Sequence, residues 1–231
     1  DNSTSATFTY TITPNNVTQD IYTDYKGSTT YLRSVTARYR SYFTTSYPSY
    51  TGYHVRGVGT SVQDIQFNAT ERLISGGSIN NVFYIRYSAN TYTIVYHGNG
   101  NTGGSTASSS HTYDTAKALT SNGFTKTGYR FIGWSTSENG SVVYSDGQNV
   151  KNLTATNGGT VNLYAQWAPI TYSVAFDANG GDGGSMSPQS FTYDASQNLT
   201  KNNFTRTGHT FAGWNTEKNG TGTSYSDSAS V

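Results

Sequence analysis

The four histidines are the side chains of this chain best suited to acid–base chemistry. They are His54, His97, His111 and His209. No serine or carboxylate lies at a spacing from any of them that is typical of a catalytic triad or dyad. The chain contains no cysteine, which excludes disulfides, thiolate metal sites and a cysteine nucleophile. The sequence therefore predicts no catalytic residue, no cofactor and no enzyme activity.

A glycine-rich segment offers the one pattern that could suit a hard cation. Residues 177–184 read DANGGDGG, in which oxygen-bearing side chains alternate around a tight turn as calcium ligands do. The related segment 97–104 reads HGNGNTGG and has no carboxylate. A hairpin turn that needs positive φ angles explains both segments. We therefore predict a structural turn here and no metal site.

Composition limits the other classes of partner. A net charge of +1 with 12% charged residues lacks the basic surface that nucleic acid or anionic lipid requires. The sequence has no run of about 18 apolar residues and so predicts no membrane-spanning segment. Threonine, valine and 20 tyrosines fall in short alternating runs, which favour strands over helices. The predicted fold is mostly β.

A repeat of about 80 residues organises the chain. Gly133-Trp134 recurs as Gly213-Trp214, within segments that read FTKTGYRFIGW and FTRTGHTFAGW. A third, diverged copy is indicated by the segment TGYHVRG, which ends just before Val58 where the other copies have tryptophan. The predicted domains are an N-terminal extension, 1–17, and three modules, 18–89, 90–168 and 169–231. The short linkers between modules predict a stiff rod.

Each module should run from a first strand through a glycine-rich turn, a second strand, the TGY strand and a polar loop to a closing strand. Asp114 and Asp194 are candidate N-caps for a short helical turn. A tryptophan that recurs at one strand position is more often part of a core than an exposed sugar platform. The predicted module core consists of Trp134, Trp167, Phe211 and Trp214.

The combination of ALT, FT+TGY.F.GW and a terminal LYAQW resembles the Listeria-Bacteroides repeat, also called the internalin B-repeat. The second and third modules match this pattern closely, and the first matches it in outline. The resemblance implies small β-grasp-like modules, often in tandem, on secreted or wall-anchored microbial surface proteins, with spacer or adhesive roles. The departures are Val58 in place of tryptophan and the absence of LYAQW from the third module.

The third module has no counterpart of the closing segment 151–167, and a segment at the other end of the chain could replace it. Residues 5–14 (SATFTYTITP) alternate with period two, and their Phe8, Tyr10 and Ile12 can be laid over Leu163, Ala165 and Trp167 in the closing strand of the second module. In a β-grasp arrangement the closing strand lies inside the sheet. Its absence predicts a groove of unpaired backbone groups that an added strand would fill.

The sequence leaves two functions open. In the first, the chain is the subunit of a pilus-like filament, in which Phe8, Tyr10 and Ile12 of one copy enter the third module of the next. In the second, it is a piece of a tandem-repeat adhesin, a stalk or host-binding module, whose following residues supply the strand. Both place the protein outside the cell or on the surface of a bacterium or archaeon. The predicted partners are other copies of the chain and a host or neighbouring-cell surface.

Overall fold

The computed structural model of this protein describes residues 16–38, 42–44, 47–59, 71–73 and 82–231. These residues form strands and turns and no helix, so the predicted mostly-β fold is confirmed. Accordingly, none of the described elements is a helix able to cross a membrane. The alternation of apolar and polar residues explains this outcome, because a period of two places every second side chain on the same face of a strand.

The first module is built on a four-stranded sheet. The described residues of the module form the strands β1 (Asn16–Tyr25), β2 (Ser28–Arg38), β3 (Tyr42–Thr44), β4 (Tyr53–Gly59), β5 (Glu71–Leu73) and β6 (Val82–Ala89). The order in the sheet is β2-β1-β6-β4, while β3 pairs with β5. Strand β1 runs antiparallel to β2 and parallel to β6. The last strand of the module therefore lies inside its sheet.

The second module repeats this arrangement. Its strands are β7 (Thr91–His97), β8 (Gly103–Gly104), β9 (Ser109–Thr112), β10 (Lys117–Ala118), β11 (Phe124–Thr125), β12 (Tyr129–Ser135), β13 (Asn149–Val150) and β14 (Gly159–Pro169). The main sheet has the order β12-β14-β7-β9, and two short pairs, β10 with β13 and β11 with β8, flank it. The closing strand β14 is again internal.

An irregularity of register is common to the two modules. The pairing of β4 with β6 shifts between Val55 and Gly57, and the pairing of β12 with β14 shifts between Phe131 and Gly133. Gly133 has a φ of 141°, which only glycine adopts readily. Such a bulge bends the strand and changes the direction of the residues that follow it. The segments aligned in the sequence thus carry the same bulge at the same place.

Trp134 occupies the core of the second module with none of its surface exposed. Its ring centroid lies 4.9 Å from those of Tyr96 and Phe131 and 6.4 Å from that of Phe124. Burial of a large aromatic or aliphatic side chain contributes about 1.5–3 kcal/mol. This cluster is therefore a main source of stability of the module.

The third module has shorter strands. They are β15 (Thr171–Val174), β16 (Gln189–Thr192), β17 (Trp214–Asn215) and β18 (Ser224–Tyr225). Strand β15 pairs with β16 and β17 pairs with β18, each as a separate two-stranded sheet. Residues 209–213, which correspond to most of β12, are not in a strand.

The helical turns predicted after Asp114 and Asp194 are wrong. Both aspartates have positive φ angles, 63° and 59°, whereas a helix N-cap has an extended backbone. After Asp114 the chain continues into strand β10, and the Leu119 N–H donates to the Gln148 carbonyl. The aspartate side chains bond elsewhere, as described below.

The described residues group into two compact units. The first is drawn from the described residues up to 94 and from 109–118 and 149–161, and the second from residues 95–108, 119–148 and 162–231. The linker between the first two modules lies within the first unit. The linker between the second and third modules, together with the whole third module, lies within the second unit.

Candidate functional site

The third module contains a groove where the second module has its closing strand. The groove has a volume of about 1120 Å³ and is bounded by the two short sheets. Its lining includes the apolar side chains Val174, Phe176, Leu199, Phe204, Phe211 and Trp214. Because β15 pairs on one side only within the described chain, the backbone groups of its other edge face this groove.

Equivalent residues show what the groove uncovers. Tyr92 is 1% exposed, whereas Tyr172, at the same position in the third module, is 46% exposed. Trp134 is fully buried, whereas Trp214 is only partly buried and Phe211 is 43% exposed. Apolar surface of this kind is rarely left contiguous and open on a soluble protein. The groove therefore has the character of a binding surface.

The aromatic packing of the third module is otherwise preserved. The Trp214 ring lies 4.8 Å from Phe211, 4.9 Å from Phe176 and 6.2 Å from Phe204, close to the distances around Trp134. The walls of the groove are thus already arranged as they would be around an internal strand. A strand that entered would meet a largely formed site, which lowers the entropic cost of binding.

Asn179, at one side of the groove, has an amide hydrogen that an inserted strand could bond. Its counterpart Asn99 donates from Nδ2 to the carbonyl of Glu138 at 2.8 Å and to that of Ala165, on the closing strand, at 2.9 Å. Asn179 donates to the Lys218 carbonyl at 3.0 Å, and the described residues provide no acceptor for its second hydrogen. The carbonyl of an inserted strand would satisfy it.

The residues predicted from the sequence fall in three places. Trp134 is fully buried in the second module, and Trp167 is partly buried there with its Nε1 donating to the Gly98 carbonyl at 2.9 Å. Phe211 and Trp214 lie in the wall of the groove. The predicted donor residues Phe8, Tyr10 and Ile12 lie outside the described residues.

A repeated contact joins each module to the next, and sequence analysis missed it. At the first junction the Asn90 N–H donates to the Gly52 carbonyl at 2.7 Å, and the Tyr113 N–H donates to the Asn90 carbonyl at 2.8 Å. The Tyr53 hydroxyl then donates to the Asp114 carboxylate at 2.9 Å. Gly52 lies beneath the Tyr113 ring, which is 2.2 Å from where a β-carbon would stand.

The second junction has the same bonds. The Ile170 N–H donates to the Gly128 carbonyl at 2.9 Å, and the Tyr193 N–H donates to the Ile170 carbonyl at 3.0 Å. The Tyr129 hydroxyl donates to Asp194 at 2.9 Å, and Gly128 lies beneath the Tyr193 ring. We call this arrangement the Gly-Tyr clasp: a Gly-Tyr turn of one module holds a Tyr-Asp turn of the next.

Asp114 is the most heavily bonded group of the first clasp. The Lys26 ammonium lies 2.5 Å from its carboxylate, and the Asn152 amide donates to it at 2.9 Å. The bond to Lys26 first, then those to Asn152 and Tyr53, hold the pKa of Asp114 well below its usual range. In turn the bond to Asp114 raises the pKa of Lys26. The charged forms of both groups are favoured.

The sequence contains two motifs that together indicate the clasp. TGY occurs at 51–53 and 127–129, and each is followed about 60 residues later by TYD, at 112–114 and 192–194. The third module has TGH at 207–209 in place of TGY. Pairing each TGY with the next TYD would have indicated a contact across the linker.

No group of three or more histidine, aspartate or glutamate side chains in the described part of the chain is arranged to hold a metal ion. In the glycine-rich segment, Asp177 accepts the N–H of Asn179 at 2.7 Å and Asp182 accepts the N–H of Thr207 at 2.7 Å. These carboxylates therefore brace the turns. Asn179 has a φ of 44° and Gly180 a φ of 87°, as a tight turn requires.

A family model matches the repeated part of this chain, and known proteins resemble the chain in part. The model of the Listeria-Bacteroides repeat domain matches residues 92–166 and 172–231. A protein of Evansella cellulosilytica, provisionally named a Gly-rich membrane protein, is 36% identical over 103 residues. A second protein of that organism, provisionally named a membrane protein, is 28% identical over 145 residues.

The aligned segments cover 43% and 61% of this chain but only 12% and 20% of those two relatives. The relatives are thus several times longer than the part they share with it. The match to the repeat model extends over more than half of the chain and includes Trp134, Trp214 and the walls of the groove. This protein belongs to the Listeria-Bacteroides repeat family.

Proposed function

We propose that this protein is a non-enzymatic structural subunit of the cell exterior that assembles head to tail by donor-strand complementation. A strand from residues 1–14 of one copy would enter the groove of the third module of the next copy. The observation that carries this proposal is the groove itself, which is walled by Phe211 and Trp214 and edged by strand β15. The same chain contains a segment with the alternation of a strand.

A contact of this kind allows copies to be added one after another without limit. The donor segment and the groove are different parts of the chain, so the interface between two copies is heterologous. Each copy keeps a free groove or a free donor segment after binding one neighbour. Unless the rotation between copies closes a ring, the product is a filament.

The cell-envelope location rests on the relatives. Two similar proteins are provisionally named membrane proteins, and the repeat family is one of surface proteins. We therefore extend the proposal to an extracellular or surface-bound filament of a bacterium or archaeon. Side chains along such a filament could contact a host or neighbouring-cell surface, and tyrosine suits contacts of this kind because it is amphipathic.

The second module indicates how the donor strand would be aligned. In that module Ala165 is fully buried opposite Trp134, and Trp167 lies opposite Phe131. The alignment that puts Tyr10 at the Ala165 position would force a large ring into a small space, and such overpacking typically costs about 1–3 kcal/mol. A shift by four residues puts Ala6 there instead and Phe8 at the Trp167 position. In this register residues 1–10 take the place of residues 160–169, with Thr4 at the position of the buried Leu163. We favour this shifted register.

The test compares the full chain with a chain that lacks residues 1–14. Electron microscopy and sedimentation should show filaments of the full chain and discrete particles of the truncated one. A synthetic peptide of residues 1–14 should then bind the truncated chain and shift the fluorescence of Trp214 to shorter wavelength. Filaments formed by the truncated chain would contradict the proposal.

Two substitutions distinguish the shifted register from the unshifted one. Ala6→Tyr places a large ring against Trp214 in the shifted register and should block assembly, whereas Tyr10→Ala should be tolerated. The unshifted register instead predicts that Ala6→Tyr is tolerated and that Tyr10→Ala, which relieves the overpacking at the Ala165 position, assembles at a lower concentration than the natural chain. Circular dichroism of each variant as a dispersed chain controls for folding.

A second candidate is a stalk or host-binding segment of a longer tandem-repeat adhesin. The observation that favours it is that the aligned segments cover only 12% and 20% of the two relatives. In such a protein the residues after Val231 would close the third sheet as β14 closes the second. The chain would then stay monomeric.

One extension separates the two candidates. Appending a copy of residues 151–169 after Val231 supplies a closing strand within the same chain, because Val150 and Val231 are equivalent positions. If filaments depend on an open groove, this extension should abolish them. Filaments that persist with an internally filled groove would mean that assembly uses another surface.

A further inference from the structure

The third module carries another copy of the turn that forms the clasp. Gly208 has a φ of 73°, close to the 77° of Gly52 and the 75° of Gly128. A β-carbon added to Gly52 or Gly128 would lie 2.2 Å from a tyrosine ring of the next module. One added to Gly208 would meet no described atom within 4 Å. The turn thus has the same backbone shape, but the face that the other two copies cover is open.

We infer that the Gly208-His209 turn is a docking face for a further Listeria-Bacteroides repeat module with a free Tyr-Asp turn. The ring of that tyrosine would lie over Gly208, and the carboxylate of the aspartate would bind the His209 side chain. His209 belongs to the lining of the groove, whereas Gly208 does not. The inference does not rest on the proposed filament.

The chemistry of the occupant follows from the two clasps already formed. In both, a Tyr-Asp turn covers the glycine. Its tyrosine N–H donates to a linker carbonyl, and its aspartate carboxylate accepts a bond from the hydroxyl of the tyrosine that follows the glycine. The Tyr-Asp turns at 113–114 and 193–194 are both engaged within their own chain. The occupant is therefore a module whose Tyr-Asp turn is not yet held.

His209 makes this third docking face dependent on pH. Its Nδ1 lies 3.0 Å from the Thr207 carbonyl, which can only accept, so Nδ1 carries the proton. In neutral imidazole Nε2 is then an acceptor and cannot bind a carboxylate as the hydroxyls of Tyr53 and Tyr129 do. In imidazolium Nε2 also donates. Protonation of His209 should therefore strengthen docking.

The other charged groups near the turn are carboxylates, a lysine and an arginine. The groups on the surrounding segments are Asp177, Asp182, Arg206, Glu217 and Lys218. Carboxylates of ordinary or lowered pKa, lysine and arginine do not titrate between about pH 5 and 8. A change of docking in this range therefore reports His209.

The test uses two extensions of the full chain after Val231. The short extension is a copy of residues 151–169 and supplies only a closing strand. The long extension is a copy of residues 151–231 and supplies the same strand followed by a module with a Tyr-Asp turn. Both fill the groove in the same way, so they differ only in the presence of a module that can dock.

We expect the pKa of His209, measured by NMR, to be raised by about one unit in the long extension relative to the short one, because an opposite charge favours the imidazolium. The amide of His209 should exchange about tenfold more slowly in the long extension. Asp194→Asn in the appended copy alone should remove the pKa shift. In the long extension His209→Tyr should keep the slow exchange at pH 8, since a tyrosine hydroxyl donates at that pH.

Gly208→Ala gives a readout that is independent of charge. In the short extension the added methyl group has room, whereas in the long extension it should meet the docked tyrosine ring and lower the denaturation midpoint further. Equal effects of Gly208→Ala in both extensions, or an equal His209 pKa in both, would overturn the inference. Failure of either extension to shift the fluorescence of Trp214 would instead count against the strand-binding groove.

Discussion

Gly128 lies directly beneath the ring of Tyr193, so close that a β-carbon on Gly128 would stand 2.2 Å from a ring carbon. The contact belongs to the clasp between the second and third modules. It uses the two properties that distinguish glycine, a positive φ and the absence of a side chain. This contact and the hydrogen bonds of the clasp hold the two modules together.

Gly128→Ala should destabilise the protein much more than Gly208→Ala. Both alanines must adopt a positive φ, at a cost of about 1–2 kcal/mol. Only the alanine at Gly128 also collides with a ring, and overpacking adds about 1–3 kcal/mol. Urea denaturation of both variants measures the difference. Because Gly208 has open space around it, it is the matched control for strain alone. Equal losses would mean that the Tyr193 ring moves aside freely.

The charge on Asp114 predicts a loss of stability in acid. Its bonds to Lys26, Asn152 and Tyr53 lower its pKa in the folded protein. A group with a lowered pKa stabilises the fold fully above its ordinary value of about 4 and loses this effect as the pH falls toward the folded value. The free energy of unfolding should therefore decline below about pH 4.

Asp114→Asn tests that assignment. The variant should be less stable than the natural chain at pH 7, and the difference should narrow as the pH is lowered from 4 to 2. Urea denaturation at each pH provides the measurement. A difference that stays constant over this range would show that the bonds to Lys26 and Tyr53 do not depend on the charge of the carboxylate.

His111 predicts a second loss of stability at milder acidity. Its side chain is buried, its Nδ1 has no partner among the described residues, and burial lowers its pKa below the ordinary value. The neutral form is therefore the one that fits the core. Its contribution is complete above about pH 6.5 and is lost as the pH falls through the lowered folded pKa.

His111→Phe copies the third module, which has Phe191 at this position. It removes an unsatisfied buried nitrogen and should raise the free energy of unfolding by about 1 kcal/mol at pH 7. It should also remove the decline that begins below about pH 6.5. Thermal unfolding at several pH values is the measurement. Persistence of that decline in the variant would assign it to another histidine.

The sequence predicted the strands well and the contacts between modules poorly, for one physical reason. Alternation and the recurrent Gly-Trp pair are local signals, because a period of two and a core tryptophan are properties of one strand. The clasp joins Tyr53 to Asp114 and Tyr129 to Asp194, which are 61 and 65 residues apart. Local reasoning interpreted the same aspartates as helix N-caps. Their carboxylates serve the neighbouring module instead.

The groove of the third module could be predicted only in part from the sequence. Comparison of the copies predicts an open sheet in the third module, and among the described residues strand β15 pairs with β16 alone. The sequence did not predict how far the walls keep their shape. The distances around Trp214 match those around Trp134 because the same aromatic set packs on each ring. That set is complete without the closing strand.

Asn99 and Asn179 allow the groove to be tested by a single matched pair of substitutions. Both residues have a positive φ, which aspartate tolerates as asparagine does, so Asn→Asp removes the amide donor with little backbone strain. Asn99→Asp loses bonds to the carbonyls of Glu138 and Ala165 and should cost about 1–3 kcal/mol of stability. Asn179→Asp loses only the bond to Lys218 in a dispersed chain and should cost less.

In the assembled state the order should reverse. If a strand from another copy enters the groove, its carbonyl oxygen would face a carboxylate in Asn179→Asp, and the repulsion should raise the concentration needed for filaments about tenfold. Asn99→Asp, whose closing strand is already in place, should assemble at nearly the natural concentration once folded. Sedimentation of both variants over a concentration series measures this. Unchanged assembly of Asn179→Asp would mean that the strand reaches the groove without bonding to this amide.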